Sequence, residues 1–520
     1  MVHDTTLHSV TRRQILAGMA AIAGSAALPG TAATAFAQAT PEVQAVVGGT
    51  LRVTLGAEPD TMDPHKGDTI FDIDVFNALY DALIDDDLSN GVNGDLAESW
   101  DSSDGVTWTF KLRSGATFHD GSPIDSAAVK ASIARAQDPA TGAVGSVTVV
   151  VNTIKSIDTP DASTVVFTLN APSATFPIAM ADVKIVPPTF DETNPVGSGP
   201  FKFVEWVRNQ HVSVSRYDNY YQGAPFLDGV EFLPTPDENQ KIVLLQTGGV
   251  ELTDTLPLAR AEEIQNGGEF QVFSIPKGVA PSMYFMLTKT TDPLLSDSRV
   301  RQAMNFAIDR QALDDVVFSF GAIKSNPIPP ENWAFNPDAL SFNDRDVDKA
   351  KSLLDEAGQG GGFKLQLKHI TSRAEYTQLA QVFQANMADI GIEIEIVPKE
   401  IGVWVQEVLV DHDFQLGLTG ELPGNDPDLI LTIFDINNED GGAMAWKDDE
   451  FLSLLEQGRA EVDQEKRKPI YFRAQEILQQ ASPGFVLHER PILNAASPKV
   501  MDFHSNLRQF LHFDKVWLSQ

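Results

Sequence analysis

The chain has 520 residues, more than a single hydrophobic core usually supports, so two or more domains are expected. Apolar residues at 42% and charged residues at 21% fit a globular chain and not a disordered one. A net charge of −34 repels phosphate backbones and argues against nucleic-acid binding, while zero cysteines exclude disulfides, thiolate metal sites, a cysteine nucleophile and a lipidated cysteine anchor.

The N-terminus reads Thr11-Arg12-Arg13-Gln14-Ile15-Leu16, then a weakly apolar run to Leu28, then Ala35-Phe36-Ala37. A basic start, a short apolar stretch and a small-x-small site describe a signal peptide, and the paired arginines resemble a twin-arginine signal. Residues 1–37 are therefore expected to be the leader, with cleavage after Ala37 or, second, Ala39. No later apolar run is long enough to span a bilayer.

Downstream, short alternating segments predict strands at Leu51–Leu55, Thr107–Leu112, Thr164–Leu169 and Val212–Ser215. After Asp297, apolar residues at Val300, Ala303, Met304, Ala307 and Ile308 form one helical stripe. Asp346 suits the cap of another helix, with Gly358 at its exit. Tyr376, Leu379, Ala380, Phe383 and Met387 make a third, followed by a strand at Ile392–Ile396. The glycine run 359–362 follows a helix, so it is a turn and not a phosphate loop. This alternation predicts an α/β or α+β chain, and the α/β class is the one taken.

Catalytic signatures are missing. There is no His-Glu-x-x-His and no Gly-x-Ser-x-Gly; Gly197-Ser198-Gly199-Pro200 is close in letters only, because Pro200 would disrupt the helix such an elbow needs. His119-Asp120-Gly121 reads as a turn with a structural histidine. His488-Glu489 and Asp63-Pro64-His65 are isolated pairs, too few for a metal. No catalytic residue, metal or cofactor is expected.

Further segments carry a resemblance. Gly49–Val53 with Pro59–Pro64, Leu79-Tyr80-Asp81-Ala82-Leu83, Asp95–Trp100, Phe110–Gly115 with Phe118–Pro123, Pro195–Phe201, Arg299–Ala303 with Ala307–Arg310, Asp389–Ile392, Asp426-Pro427-Asp428 and Val516-Trp517-Leu518 follow one family's order. The chain resembles the family 5 extracellular solute-binding proteins of ABC transporters, which carry dipeptides, oligopeptides and nickel chelates. Most of these motifs read as structural, and Arg299, Arg301 and Arg310 are expected to form ion pairs within the fold.

The resemblance implies a two-lobed periplasmic binding protein fold (type II, cluster C-like) with an extra domain on the first lobe. Residues 46–82, 185–276 and 484–520 would form lobe I, 83–184 the extra domain and 277–483 lobe II. It implies a monomeric periplasmic protein, free of the membrane, that closes on a small solute and delivers it to an ABC permease and its ATPase. Closure strips water from the solute and strengthens its polar contacts.

Peptide binders of the family often carry Gly-Trp-x-x-Asp, whose Asp takes the ligand's ammonium; here the stretch is Gly420-Glu421-Leu422-Pro423-Gly424. Either Glu421 or Asp426 takes over that role, or the cargo is not a standard peptide. Arg373 is placed to hold a solute carboxylate. Trp404 and Trp446 are candidate stacking walls, and Met62 and His65 lie in a loop that often faces the cleft in this family. The cargo options are a peptide or amino-acid derivative, or a nickel chelate (His65 being the residue to test), an opine or a short oligosaccharide. The competing class is a secreted hydrolase or a chaperone-like periplasmic protein.

Overall fold

The computed structural model describes residues 45–86, 92–371 and 373–520; the expected leader lies outside them. Strand β1 (Thr50–Leu55) buries Leu51, Val53 and Leu55. The helix Ile70–Leu79 starts with a capping box, in which Thr69 Oγ1 accepts from the Asp72 amide and the Asp72 carboxylate accepts from the Thr69 amide.

The chain then enters an antiparallel sheet made of β2 (Ala97–Asp101), β3 (Thr107–Leu112), β4 (Ile154–Asp161) and β5 (Thr164–Leu169), in the order β2-β3-β5-β4. Phe110, Phe167 and Phe176 meet edge-on at its centre, with centroids 5.4–6.1 Å apart. Strands β6 (Phe201–Val207), β7 (His211–Arg216) and β8 (Gly229–Pro234) return to β1, giving the order β1-β8-β7-β6 with β1 and β8 parallel.

After β9 (Gln271–Ser274) a second large sheet forms from β10 (Met283–Thr288), β11 (Phe363–Ile370), β12 (Ile392–Lys399), β13 (Leu416–Glu421) and β14 (Gly484–Glu489), in the order β12-β11-β13-β10-β14. Strand β11 runs parallel to β12 and β13, and β10 runs antiparallel to β13 and β14. Four strands therefore point one way, and their carboxyl ends share one edge. Finally β15 (Leu493–Ala496) pairs with β9, so the two chain crossings between sheets lie side by side.

The buried side chains fall into three main cores. One gathers β1, β6–β8 and the C-terminal segment; one gathers residues 83–185; the largest surrounds the second sheet. Two edges differ from the sequence expectation. Strand β14, expected in lobe I, is hydrogen-bonded into the second sheet. Ile242, Leu245, Ala261 and Ile264, from two helices also expected in lobe I, join the second lobe's core. A small fourth core of Ile275, Ala280, Ile492 and Leu507 sits at the crossings, with Leu422 packed on it.

The resemblance motifs prove to be joints. His119 donates its backbone N–H to Gly197 O (2.8 Å), and its Nε2 donates to Gly199 O (3.0 Å) while its Nδ1 accepts from the Gly197 amide (3.2 Å). Burial pushes this imidazole down to about 4, so it stays neutral and structural. Gly197 lies directly on Leu79 O, where a Cβ has no room. Gly197→Ala is expected to lower the unfolding free energy by about 1–3 kcal/mol through overpacking, read from the denaturant midpoint; an unchanged midpoint would show that this joint can yield.

Candidate ligand-binding site

In sheets of this kind, ligands bind outside the carboxyl ends of the parallel strands, where backbone ends and loops leave a crevice. Here that edge carries Glu421 at the end of β13, Arg490 just past β14, and Arg373 and Glu375 just past β11. Strand register fixes two of these. Met283 of β10 faces Glu421 on one side and Glu489 on the other, so Glu421 and Arg490 flank the start of β10. The Arg490 backbone is pinned by its N–H to Ser282 O (3.3 Å) and by Ser282 Oγ donating to Arg490 O (2.7 Å).

Tyr376 is the hub. Its hydroxyl lies against Gly420, where a side chain would collide with it, and the Arg490 Cδ lies 3.2 Å from the same Cβ position. Its ring meets Tyr284 edge-on at 5.6 Å. Burial raises the Tyr376 pKa, opposed by Arg490 and Arg373 and aided by Glu375 and Glu421, which places all four charges around one ring. Arg490 Nε is buried and has no hydrogen-bond partner in the structure.

Glu421 is half-buried by exposure but enclosed at its carboxyl end. Burial first, then the like charge of Asp440, push it up to about 8, with Arg490 pulling the other way. Asp440 itself is pushed up to about 6 by burial and by Glu439. The edge thus holds a carboxyl group that is neutral when empty and a guanidinium with an unused donor. Together these can bind a solute carrying both a cation and an anion.

The other expected site residues lie elsewhere. Met62 is in the first lobe's core, with its carbonyl accepting from Tyr80 OH (2.7 Å). His65 has both ring nitrogens engaged, Nε2 donating to Lys184 O (3.0 Å) and Nδ1 accepting from Arg135 (2.7 Å), and burial pushes it down to about 4. It joins the first lobe to the extra domain and is not free to ligate a metal chelate. Trp404 is buried, with Nε1 donating to Lys368 O (3.3 Å), and Trp446 packs on Phe451 at 5.0 Å; both fill the second lobe. Asp426 caps the helix Pro427–Thr432 and pairs in bidentate fashion with Arg467 (2.9 and 2.6 Å).

So the structure brings Glu421 and Arg373 together and sets the other five apart. Sequence reading missed Arg490, Tyr376, Tyr284 and Asp440 as site residues. The signal for Arg490 is its position just past a strand parallel to β13, which becomes visible only once β14 is assigned to this sheet.

Two α/β bodies with paired crossings, and a cluster of charged side chains at the strand ends, fit a two-lobed solute-binding protein. Residues 91–441 match the family model for bacterial extracellular solute-binding proteins, family 5 Middle, and the chain belongs to that family. It is 28% identical over 487 residues to the glutathione-binding protein GsiB of Escherichia coli (strain K12), covering 87% of this chain and 91% of that one. The binding protein AgaA from A. tumefacien R10, solved with agropinic acid, is 28% identical with a TM-score of 0.72, covering 91% of this chain and 99% of that one. The substrate-binding protein CtaP of Listeria monocytogenes shares the fold at a TM-score of 0.80 and 22% identity, covering 91% and 100%.

The chain is accordingly the extracytoplasmic binding component of an ABC importer, capturing a small solute between two lobes for a membrane permease driven by a separate ATPase. Its relatives are transport proteins and not enzymes. Among the described residues, no helix is long and apolar enough to cross a membrane.

Proposed function

We propose that the cargo is a peptide or amino-acid derivative bound as a zwitterion, with its ammonium on Glu421 and its carboxylate on Arg490 and Arg373. One observation carries this: Arg490 Nε is buried and unpartnered, and the guanidinium is close enough to Glu421 for the two charges to feel each other. An unmatched buried donor is costly unless a ligand completes it. Asp426, the other carboxylate considered for the ammonium, already has Arg467. Relatives solved or named with glutathione, agropinic acid and a peptide fit such a cargo class. A nickel chelate fits less well, because His65 is committed at both nitrogens.

Binding would select the closed form through differential affinity alone, with no bond in the solute changed. The protein is taken to be a free monomer exported by its twin-arginine leader. Titration calorimetry against di- and tripeptides, glutathione, agropinic acid and nickel-histidine tests the cargo. The expected result is a peptide or amino-acid-derivative ligand whose affinity falls about thirty-fold or more in Arg490→Ala, corresponding to loss of roughly 2 kcal/mol for a buried charged hydrogen bond. Binding of the nickel chelate alone, or unchanged affinity in the variant, would refute the reading.

A further inference from the structure

Away from the strand ends, where the extra domain meets the second lobe, the structure holds a chamber of about 360 Å³. Trp100 and Trp108 wall it from the extra domain and Trp333 from the second lobe, with Asp426, Arg467 and Gln464 along one side. Three of the seven tryptophans of the chain therefore converge on one space.

The walls are built and not loose. Trp108 Nε1 donates to Gly105 O (3.1 Å), and Trp100 stacks on Phe110 at 6.4 Å. Trp333 lies edge-on to Tyr471 at 6.0 Å, with the Arg467 guanidinium 5.4 Å from its ring. Asn332 Nδ2 donates to Asn425 O (3.0 Å) and so ties the Trp333 loop to the Asp426 loop. The two bodies touch beside the chamber: the Ala174 amide donates to Arg459 O (2.7 Å), and Val462 packs on the extra domain's core.

The volume falls within the span of small-molecule pockets, about 300–1,000 Å³. Its lining mixes the three indoles with the polar side chains of Asn425, Asp426, Gln464 and Arg467. The charges on its wall, Asp426 and Arg467, satisfy each other, so the chamber offers indole surface and no free ion partner. Trp100 and Trp333 are only half-buried, leaving part of each ring uncovered. That chemistry suits an uncharged ring. Asp426 is five residues beyond Glu421, so the two lie at most about 18 Å apart along an extended chain.

We propose that this chamber is a second subsite, taking an aromatic side chain of a peptide-like solute whose charged end groups sit at Glu421 and Arg490. The proposal rests on the zwitterion reading for the end groups and adds the ring. The test compares Ala-Ala-Phe with Ala-Ala-Ala by calorimetry in the parent protein, Trp333→Ala and Trp333→Phe. It is paired with fluorine NMR of 5-fluorotryptophan-labelled protein titrated with free indole. Ala-Ala-Phe should bind at least ten-fold more tightly, with the gain lost in Trp333→Ala and largely kept in Trp333→Phe. Equal binding of the two peptides, or a gain that survives Trp333→Ala, overturns the subsite and leaves the zwitterion reading standing. If neither peptide binds, indole decides. Movement of the Trp333 and Trp100 resonances keeps the chamber as a ring site and removes the peptide cargo; no movement removes both.

Discussion

Replacing Glu421 with Gln is expected to weaken binding of an amine-bearing solute about 100-fold and to abolish the rise in affinity expected of the parent protein between pH 6 and 8. The size follows from removing one partner of a buried charged contact, about 2–5 kcal/mol. The pH dependence follows from the neighbours. Burial and the acids Asp440 and Glu439 hold the Glu421 proton on up to about pH 8, while Arg490 opposes them. An arriving ammonium reverses the balance and favours the carboxylate, so binding below pH 8 must expel a proton. Affinity should climb by up to about ten-fold per pH unit between pH 6 and 8, then fall as the ligand's own amine, with a pKa of about 7.7–8.0, loses its charge.

The empty protein should show the opposite trend. An acid whose pKa is raised by folding binds its proton more strongly in the native state, so its contribution to stability is present at low pH and is lost as pH rises toward 8. Calorimetry at pH 6 in two buffers of different ionisation enthalpy counts the released protons. About one is expected for the parent and none for Glu421→Gln. A flat pH profile with no proton release would remove Glu421 from the ammonium site.

What the sequence revealed and what it hid follow from physics at particular residues. Helix starts were legible because capping is local: Asp297 and Asp346 accept from the Arg299 and Lys349 amides, as their spacing suggests. The exit glycines Gly358 and Gly391 have φ of +74° and +84°, where a side chain is strained. Strand β14 was hidden because it is buried on both faces and shows no alternation, and its partner β10 lies about 200 residues earlier. With β14 assigned to the wrong lobe, Arg490 could not be placed beside Glu421. The choice between Glu421 and Asp426 was equally beyond sequence, since it turns on Arg467, 41 residues past Asp426. Family motifs such as His119 with Gly197 pointed to the fold and not to the site, because their work is to join two domains.

Arg310→Leu is expected to cost about 3–5 kcal/mol, among the largest single losses in the second lobe. Sequence suggested an ion pair, but the structure gives this side chain no carboxylate among its bonds. Its Nε donates to Lys324 O (3.3 Å), Nη1 to Phe342 O (2.5 Å) and Asn305 O (3.4 Å), and Nη2 to Asn305 Oδ1 (2.7 Å) and Val486 O (2.9 Å). A guanidinium has five N–H donors, and all five are used. They tie together the end of the helix Ser298–Ala307, two loops and strand β14, which no apolar side chain can do. Arg301 is corrected in the same way, reaching the carbonyls of Leu295, Ser296, Ala481 and Ser482, whereas Arg299 does pair with Asp297. Burial lowers the Arg310 pKa to about 9, so the group stays charged at neutral pH and the carbonyl dipoles carry the compensation. Leucine would fill part of the volume but leave those carbonyls buried and unmet, while Arg310→Lys, with three donors on one atom, should recover less than half of the loss. Because the chain has several cores, the effect should appear as an earlier transition of the second lobe, with the extra domain's transition unmoved. Urea unfolding followed by hydrogen exchange separates the two. A second-lobe transition within 1 kcal/mol of the parent, on the scale of one ordinary hydrogen bond of about 1 kcal/mol, would mean that water or a rearranged loop satisfies the carbonyls in its place.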